Sequence, residues 1–196
     1  SIRLSAWRGT DHNTAFDVAR FELTAADPAI LILRGINGGA AELRTAVDCA
    51  RRVAHGLWFY GLKPTLLDEP DLSRPLLDRA QVVILPYNPG LTQNLAGTVA
   101  DFNRRGGGVI GFYTIHPALE HSTGIRKAGH MQGVQTAPGG LAGFTMHPGQ
   151  LRGAPVQVLQ RSWNFNLLQP PGEEGAVLAE WQGVDGQRTG RAAMVR

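Results

Sequence analysis

The sequence predicts a doubly wound α/β fold on a mainly parallel sheet, with antiparallel strands added at its C-terminal end. Three observations predict it. Continuous apolar runs at Ile30-Leu31-Ile32-Leu33 and Val82-Val83-Ile84-Leu85 suit strands buried on both faces, as parallel strands are. Segments with helical spacing separate such runs, so strand and helix alternate about four times, the pattern of a sheet with crossover helices on both faces. The 196 residues are 43% hydrophobic and 18% charged, a globular composition long enough to bury a sizeable core.

Residues 1–29 show little periodicity; Phe16, Val18, Phe21 and Leu23 suit a strand or a wrapping segment. The first core strand is Ile30 to Leu33, and the glycine-rich turn Gly35-Ile36-Asn37-Gly38-Gly39 follows it. Leu43, Val47, Ala50, Val53, Ala54 and Leu57 then recur at helical spacing up to Gly61, a C-terminal stop signal. A short strand is expected at Pro64 to Leu67, and a short helix between Asp71 and Ala80 with Pro75 in its first turn. The third strand is Val82 to Tyr87. Thr92 is a good N-cap for the helix carrying Leu95, Val99 and Phe102, which Gly106 ends. A fourth strand, Val109 to Tyr113, leads into a short helix over 117–123.

These elements predict a flavodoxin-like three-layer sandwich with strand order 2-1-3-4. Beyond residue 140 the texture changes. Leu141 to Met146, Val156 to Leu159, Trp163 to Phe165 and Val177 to Trp181 favour strands, and Asp185-Gly186 signals a hairpin. They are expected as antiparallel strands on the edge of the same sheet. The expected organisation is therefore a linker or peripheral segment over 1–29 and one domain over 30–196, with a β-rich part over 141–196.

The net charge is +3, but the arginines are scattered and no basic run interleaves with aromatics, so no nucleic-acid partner is expected. No apolar run reaches the length of a membrane span. Cys49 is the one cysteine, so no internal disulfide forms. The chain starts at Ser1 and stops within the apolar run Ala192 to Val195. Both ends are expected to be trimmed, which leaves the compartment open with a lean toward an extracytoplasmic one.

With Pro86-Tyr87-Asn88-Pro89 after the third strand and Gly106-Gly107-Gly108 before the fourth, the α/β pattern over 30–147 resembles the class I glutamine amidotransferase-like superfamily. Within it the chain is most similar to ThuA-like domains and to domains attached to bacterial glycosyl hydrolases. Active members carry a cysteine on a sharp strand-to-helix turn. The resemblance lays Gly111-Phe112-Tyr113-Thr114-Ile115-His116 on that elbow, with Tyr113 at the cysteine position and Ile115 where a glycine follows. A phenol of pKa about 10 is a poor nucleophile, and a β-branched residue resists positive φ; the elbow is therefore expected to have lost its turn as well as its thiol. Met146-His147-Pro148-Gly149 matches the family's His-Pro-Glu stretch except that Gly149 replaces the carboxylate. Cys49, mid-helix among apolar neighbours, is read as a core thiol.

Other constellations have plainer readings. Gly106-Gly107-Gly108 precedes a strand, at the edge of the sheet away from ligand sites, and reads as a helix-ending turn. Gly35 to Gly39 opens a helix without a nucleotide motif and reads as a tight turn with a weak anion preference. His116, Glu120, His121 and His130 lack the H-E-x-x-H order, so no metal is expected, nor any cofactor. Asn37, Tyr87, Asn88, Tyr113 and His116 are the candidate ligand-binding residues. The strand order brings Tyr87, Asn88, Tyr113 and His116 to the C-terminal edge of adjacent strands, where aromatic, amide and imidazole groups suit a sugar or another small polar molecule. Trp163, Phe165 and Trp181 are expected to pack onto the α/β core.

The expected function is that of a non-catalytic accessory domain in a larger bacterial, carbohydrate-active protein, serving inter-domain packing, oligomerisation or weak carbohydrate binding. Its expected partners are neighbouring domains, a second copy, or a small polar ligand. The alternatives are a hydrolase with a His116- or His147-based or metal site, and a small-molecule sensor module.

Overall fold

Leu31, Ile32 and Leu33 are fully buried side by side in one strand, and a four-stranded parallel sheet is built around them. In the computed structural model, residues 2–7, 15–21, 29–113, 115–134, 137, 139–173 and 175–196 are described, the first two segments by backbone alone. The sheet contains β3 (Ile30–Arg34), β4 (Thr65–Asp68), β5 (Val82–Leu85) and β6 (Gly108–Gly111), in the order β4-β3-β5-β6. Every pairing is parallel. In order of appearance this is second-first-third-fourth, the order expected from the sequence.

Alternation along β3 splits the core in two. Ile32 packs with Ala50, Ala54 and Ile84 under α1 (Ala40–Phe59). Leu31 and Leu33 face the other way, into a larger cluster with Leu77 of α2 (Arg74–Leu77), Val99 and Phe102 of α3 (Gln93–Arg104), and Leu119 of α4 (Pro117–Thr123). The alanine stripe lets α1 lie close to the sheet. Thr92 caps α3 by accepting from the Leu95 N–H at 3.4 Å. Pro75 lies in the first turn of α2, where its missing N–H costs nothing. A short 3-10 turn, Glu69–Asp71, follows β4; the sequence reading did not foresee it. β5 stops at Leu85 because Pro86 has no N–H to continue the ladder.

The C-terminal strands depart from expectation. They do not extend the parallel sheet but form a separate antiparallel sheet of six, β7-β10-β12-β11-β8-β9. Its strands are β7 (Lys127–Gln132), β8 (Leu141–Met146), β9 (Gln157–Leu159), β10 (Asn164–Leu168), β11 (Val177–Gly183) and β12 (Arg188–Val195). The β-rich part thus begins at 127 and not at 141. β7 was missed because Lys, Gly, His and Gln are weak strand formers; its ladder with β10 (Asn164↔Gln132 to Leu168↔Lys127) supplies what propensity lacks.

The second sheet also has its own core. Phe165 and Trp181 are 2% and 7% exposed and pack with Leu141 and Leu167. Their rings meet edge-on, with centroids 4.8 Å apart. The expectation that Trp163, Phe165 and Trp181 cover the α/β core is corrected: two of them fill the six-stranded sheet's core, and Trp163, just before β10, is 67% exposed. A sheet with one apolar face buries that face on whatever lies nearest, and Phe165 and Trp181 lie against each other. At the N-terminal end, β1 (Ile2–Trp7) and β2 (Ala15–Phe21) pair antiparallel. Phe16, Val18 and Phe21 fall in β2, and Leu23 lies outside the described residues.

Leu33→Ala is expected to cost about 2–5 kcal/mol, since the site is closed on all sides. Leu66→Ala, on the sheet's outer strand and 39% exposed, should cost less than about 1 kcal/mol. Urea unfolding of both variants measures the difference.

Candidate functional site

The C-terminal ends of the four parallel strands lie along one edge, and each delivers a polar or aromatic residue there. Arg34, ending β3, and Asp68, ending β4, are register partners. Their side chains pair through two hydrogen bonds of 2.5 Å each, from Nε to Oδ1 and Nη2 to Oδ2. Hydrogen bonding to Asp68 raises the guanidinium pKa further, with desolvation opposing.

Glu69 comes next and is 1% exposed. Asn88 Nδ2 donates to Glu69 Oε1 at 2.8 Å, and Asn37 Nδ2 donates to Oε2 at 3.0 Å. Asn88 Nδ2 also reaches the Leu33 carbonyl at 3.2 Å. A carboxylate only accepts, so both amide NH2 groups must face it and both amide oxygens point elsewhere. Asn88 Oδ1 is buried without a hydrogen-bond partner among the described residues. Backbone contact allows this convergence: a Cβ on Gly35 would stand 2.8 Å from the Tyr87 carbonyl oxygen, and one on Gly90 would stand 2.5 Å from Asn37 Cβ. Neither position admits a side chain without moving the loop it touches.

Tyr113 lies on the bend between β6 and α4 with φ +62°, the one non-glycine residue at positive φ among those described. A sharp bend is therefore present here, contrary to the expectation that the chain makes no such turn at this point. The strain sits on Tyr113 itself and not on Ile115, whose branching was the reason to doubt the turn. Such a backbone costs roughly 1–2 kcal/mol in a residue with a side chain, and its surroundings hold it. The Tyr113 hydroxyl accepts from Asn164 Nδ2 at 3.1 Å, and its carbonyl accepts from Asn166 Nδ2. These two asparagines lie two apart on β10 and so share a face. Tyr87 packs beside the phenol, with centroids 5.9 Å apart and planes tilted by 43°. Burial, then the nearby Glu42 carboxylate, push the Tyr87 hydroxyl above its usual range, so it stays a neutral donor and acceptor.

Of the five residues singled out from sequence, Asn37 and Asn88 meet on Glu69, while Tyr87 and Tyr113 meet ring to ring. His116 caps α4: its Nδ1 accepts from the Ala118 N–H at 3.2 Å, which turns that nitrogen toward the backbone. Glu69, Asn164 and Asn166 were missed. The signals were an acid and a proline directly after a predicted strand, and Asn-Phe-Asn at strand spacing.

His147 differs from its sequence reading. Its Nε2 lies 3.0 Å from Glu180 Oε1 of β11, a carboxylate 33 residues away that the sequence reading did not pair with it. No hydrogen bond or ion pair among the described residues links His147 to Tyr113. Among the described residues no group of three or more His, Cys, Asp or Glu could hold a metal ion, and Glu120 Oε1 accepts from the Lys127 N–H. The glycine turn before α1 is partly filled from within, since the Gly39 N–H donates to Glu42 Oε2 at 3.0 Å. Cys49 is half-buried, not a full core residue. Desolvation raises its pKa, partly offset by Arg52.

No family model and no curated protein matches the chain. Solved structures do resemble it. A ThuA-like protein from Bacteroides uniformis superposes with a TM-score of 0.60 at 12% identity, over 90% of this chain and 80% of the other. That likeness shows a ThuA-like fold. A β-galactosidase from Bifidobacterium adolescentis (TM-score 0.42, 16% identity, 87% of this chain and 86% of that one) and PurLQS from Thermotoga maritima (0.45, 11%, 85% and 86%) lie further off.

Replacing one acceptor of Glu69 by a donor opposes it to an amide N–H. Glu69→Gln is expected to lose about 1–3 kcal/mol in urea unfolding. Cys49 should react with iodoacetamide more slowly in the native chain at pH 8 than in the urea-unfolded chain, because the thiolate is the reactive form. Arg52→Ala should slow the native reaction further, since Arg52 lowers that pKa.

Proposed function

We propose that this chain is a non-catalytic accessory domain of the ThuA-like, flavodoxin-like type. It binds a small polar ligand at the C-terminal edge of its parallel sheet, within a larger bacterial carbohydrate-active protein. The observation that carries this reading is Tyr113 on the elbow. The strained bend remains, but the group it presents is a phenol engaged by Asn164 and packed against Tyr87. Acyl transfer needs an activated nucleophile there, with a base in reach, and His116 turns its Nδ1 into the capping bond. What the edge offers instead is recognition chemistry: two aromatic hydroxyls, and the Asn37 amide held in one orientation by Glu69. Rings beside fixed hydrogen-bonding groups suit the faces and hydroxyls of a sugar.

One observation favours a hydrolytic reading: the His147–Glu180 pair has the geometry of a base with its orienting carboxylate. It has no nucleophile hydrogen-bonded to it among the described residues.

A ligand that binds only the folded state raises its melting temperature. Screening neutral mono- and oligosaccharides by thermal shift is expected to give a hit that Asn37→Ala and Tyr87→Ala each abolish. Glutaminase, esterase or glycosidase turnover that Tyr113→Phe, His116→Ala or His147→Ala removed would overturn the reading.

A further inference from the structure

We infer that the C-terminal end of α1 is a docking peg for the surface of an anionic lipid bilayer. Trp58, Phe59 and Tyr60 are consecutive and are 52%, 85% and 81% exposed; Leu62, just beyond, is 45% exposed. Apolar groups of this size cost free energy in water and are normally covered. The end is rigid. Gly61, at φ +78°, donates to the Trp58 carbonyl at 2.9 Å, and the Leu62 N–H donates to the Leu57 carbonyl at 3.0 Å. That pair of bonds is a Schellman stop. Phe59 and Tyr60 brace each other edge-on, with centroids 5.4 Å apart.

The direction of the rings selects the partner. Neighbouring residues on a helix point about 100° apart, so the three rings radiate around the tip and do not form a flat face. A flat protein surface touches only part of such a peg, whereas the interfacial zone of a bilayer is fluid and closes around it. Trp and Tyr suit the headgroup level, where one end of the ring is dry and the other wet.

The charge selects the lipid. No Asp or Glu occurs from Ala50 to Leu67, a stretch that holds Arg51, Arg52, His55 and Lys63. Among the described residues, Arg51, Arg52 and Lys63 form no ion pair. Of the acids of α1, Glu42 lies in its first turn and Asp48 near its middle, one turn before Arg51 and Arg52. A second copy apposed tip to tip would set these cations against themselves; an anionic headgroup layer complements them. As the crossover after β3, α1 runs back toward the N-terminal edge of the sheet. The peg therefore points away from the edge that carries Glu69 and Tyr113, and the candidate site stays open to solvent on a docked molecule.

The test is co-sedimentation of the whole chain with phosphatidylcholine vesicles, with and without one-quarter phosphatidylglycerol. Binding is expected only to the anionic vesicles. The Trp58→Ser/Phe59→Ser/Tyr60→Ser variant should lower the partition coefficient at least about tenfold, and Arg51→Glu/Arg52→Glu should remove the anionic preference. Melting curves unchanged from the parent would show that both variants fold. Equal binding to neutral vesicles, no binding, or binding insensitive to the triple variant would overturn the inference. So would a chain dimer, or duplex-DNA binding stronger than vesicle binding, that the triple variant abolished.

Discussion

The polar edge of this molecule is held by one buried carboxylate. Glu69 has almost no exposed surface, yet it ties the loop after β3, through Asn37, to the loop after β5, through Asn88. A lone buried charge is costly, and the two amide donors offset that cost only while both loops hold their places. Gly35 and Gly90 are bare for the same reason: any side chain there would separate the backbones that the carboxylate joins. The orientation of the Asn37 and Asn88 amides follows from this one acceptor.

Tyr113 shows how contacts from a distant strand can hold a strained turn. A residue with a side chain at φ +62° is held by its surroundings. Here the surroundings are two asparagines of β10 and the ring of Tyr87. The elbow therefore serves as the joint between the parallel sheet and the six-stranded sheet. Asn166 belongs to both sides of that joint, because its backbone carbonyl also accepts from the Trp181 indole at 3.0 Å. Polar contacts from the elbow thus continue into the aromatic core of the second sheet.

The reading as a binding module and the inference of a docking tip rest on separate parts of the fold. One concerns the edge where the strands end, the other the opposite end of α1. Either can fail without the other. Together they describe a domain that displays a ligand edge on one side while its far side rests on a surface.

Periodicity alone made much of the α/β half legible. The doubly apolar runs specified β3 and β5, the stripe ending in Ala50, Ala54 and Leu57 specified α1, and Thr92 marked the start of α3, because these signals act within a few residues. The parallel strand order followed from alternation and crossover geometry. What only the tertiary structure decided depends on contacts distant in sequence. β7 has no strand-forming composition and exists through its ladder with β10. The C-terminal strands form a sheet of their own, and Phe165 and Trp181, sixteen residues apart, meet edge-on in its core. Glu69 finds its partners 32 and 19 residues away, and Glu180 reaches His147 across 33. No local pattern encodes such pairings; they form when the chain brings a buried acceptor to the donors that can satisfy it.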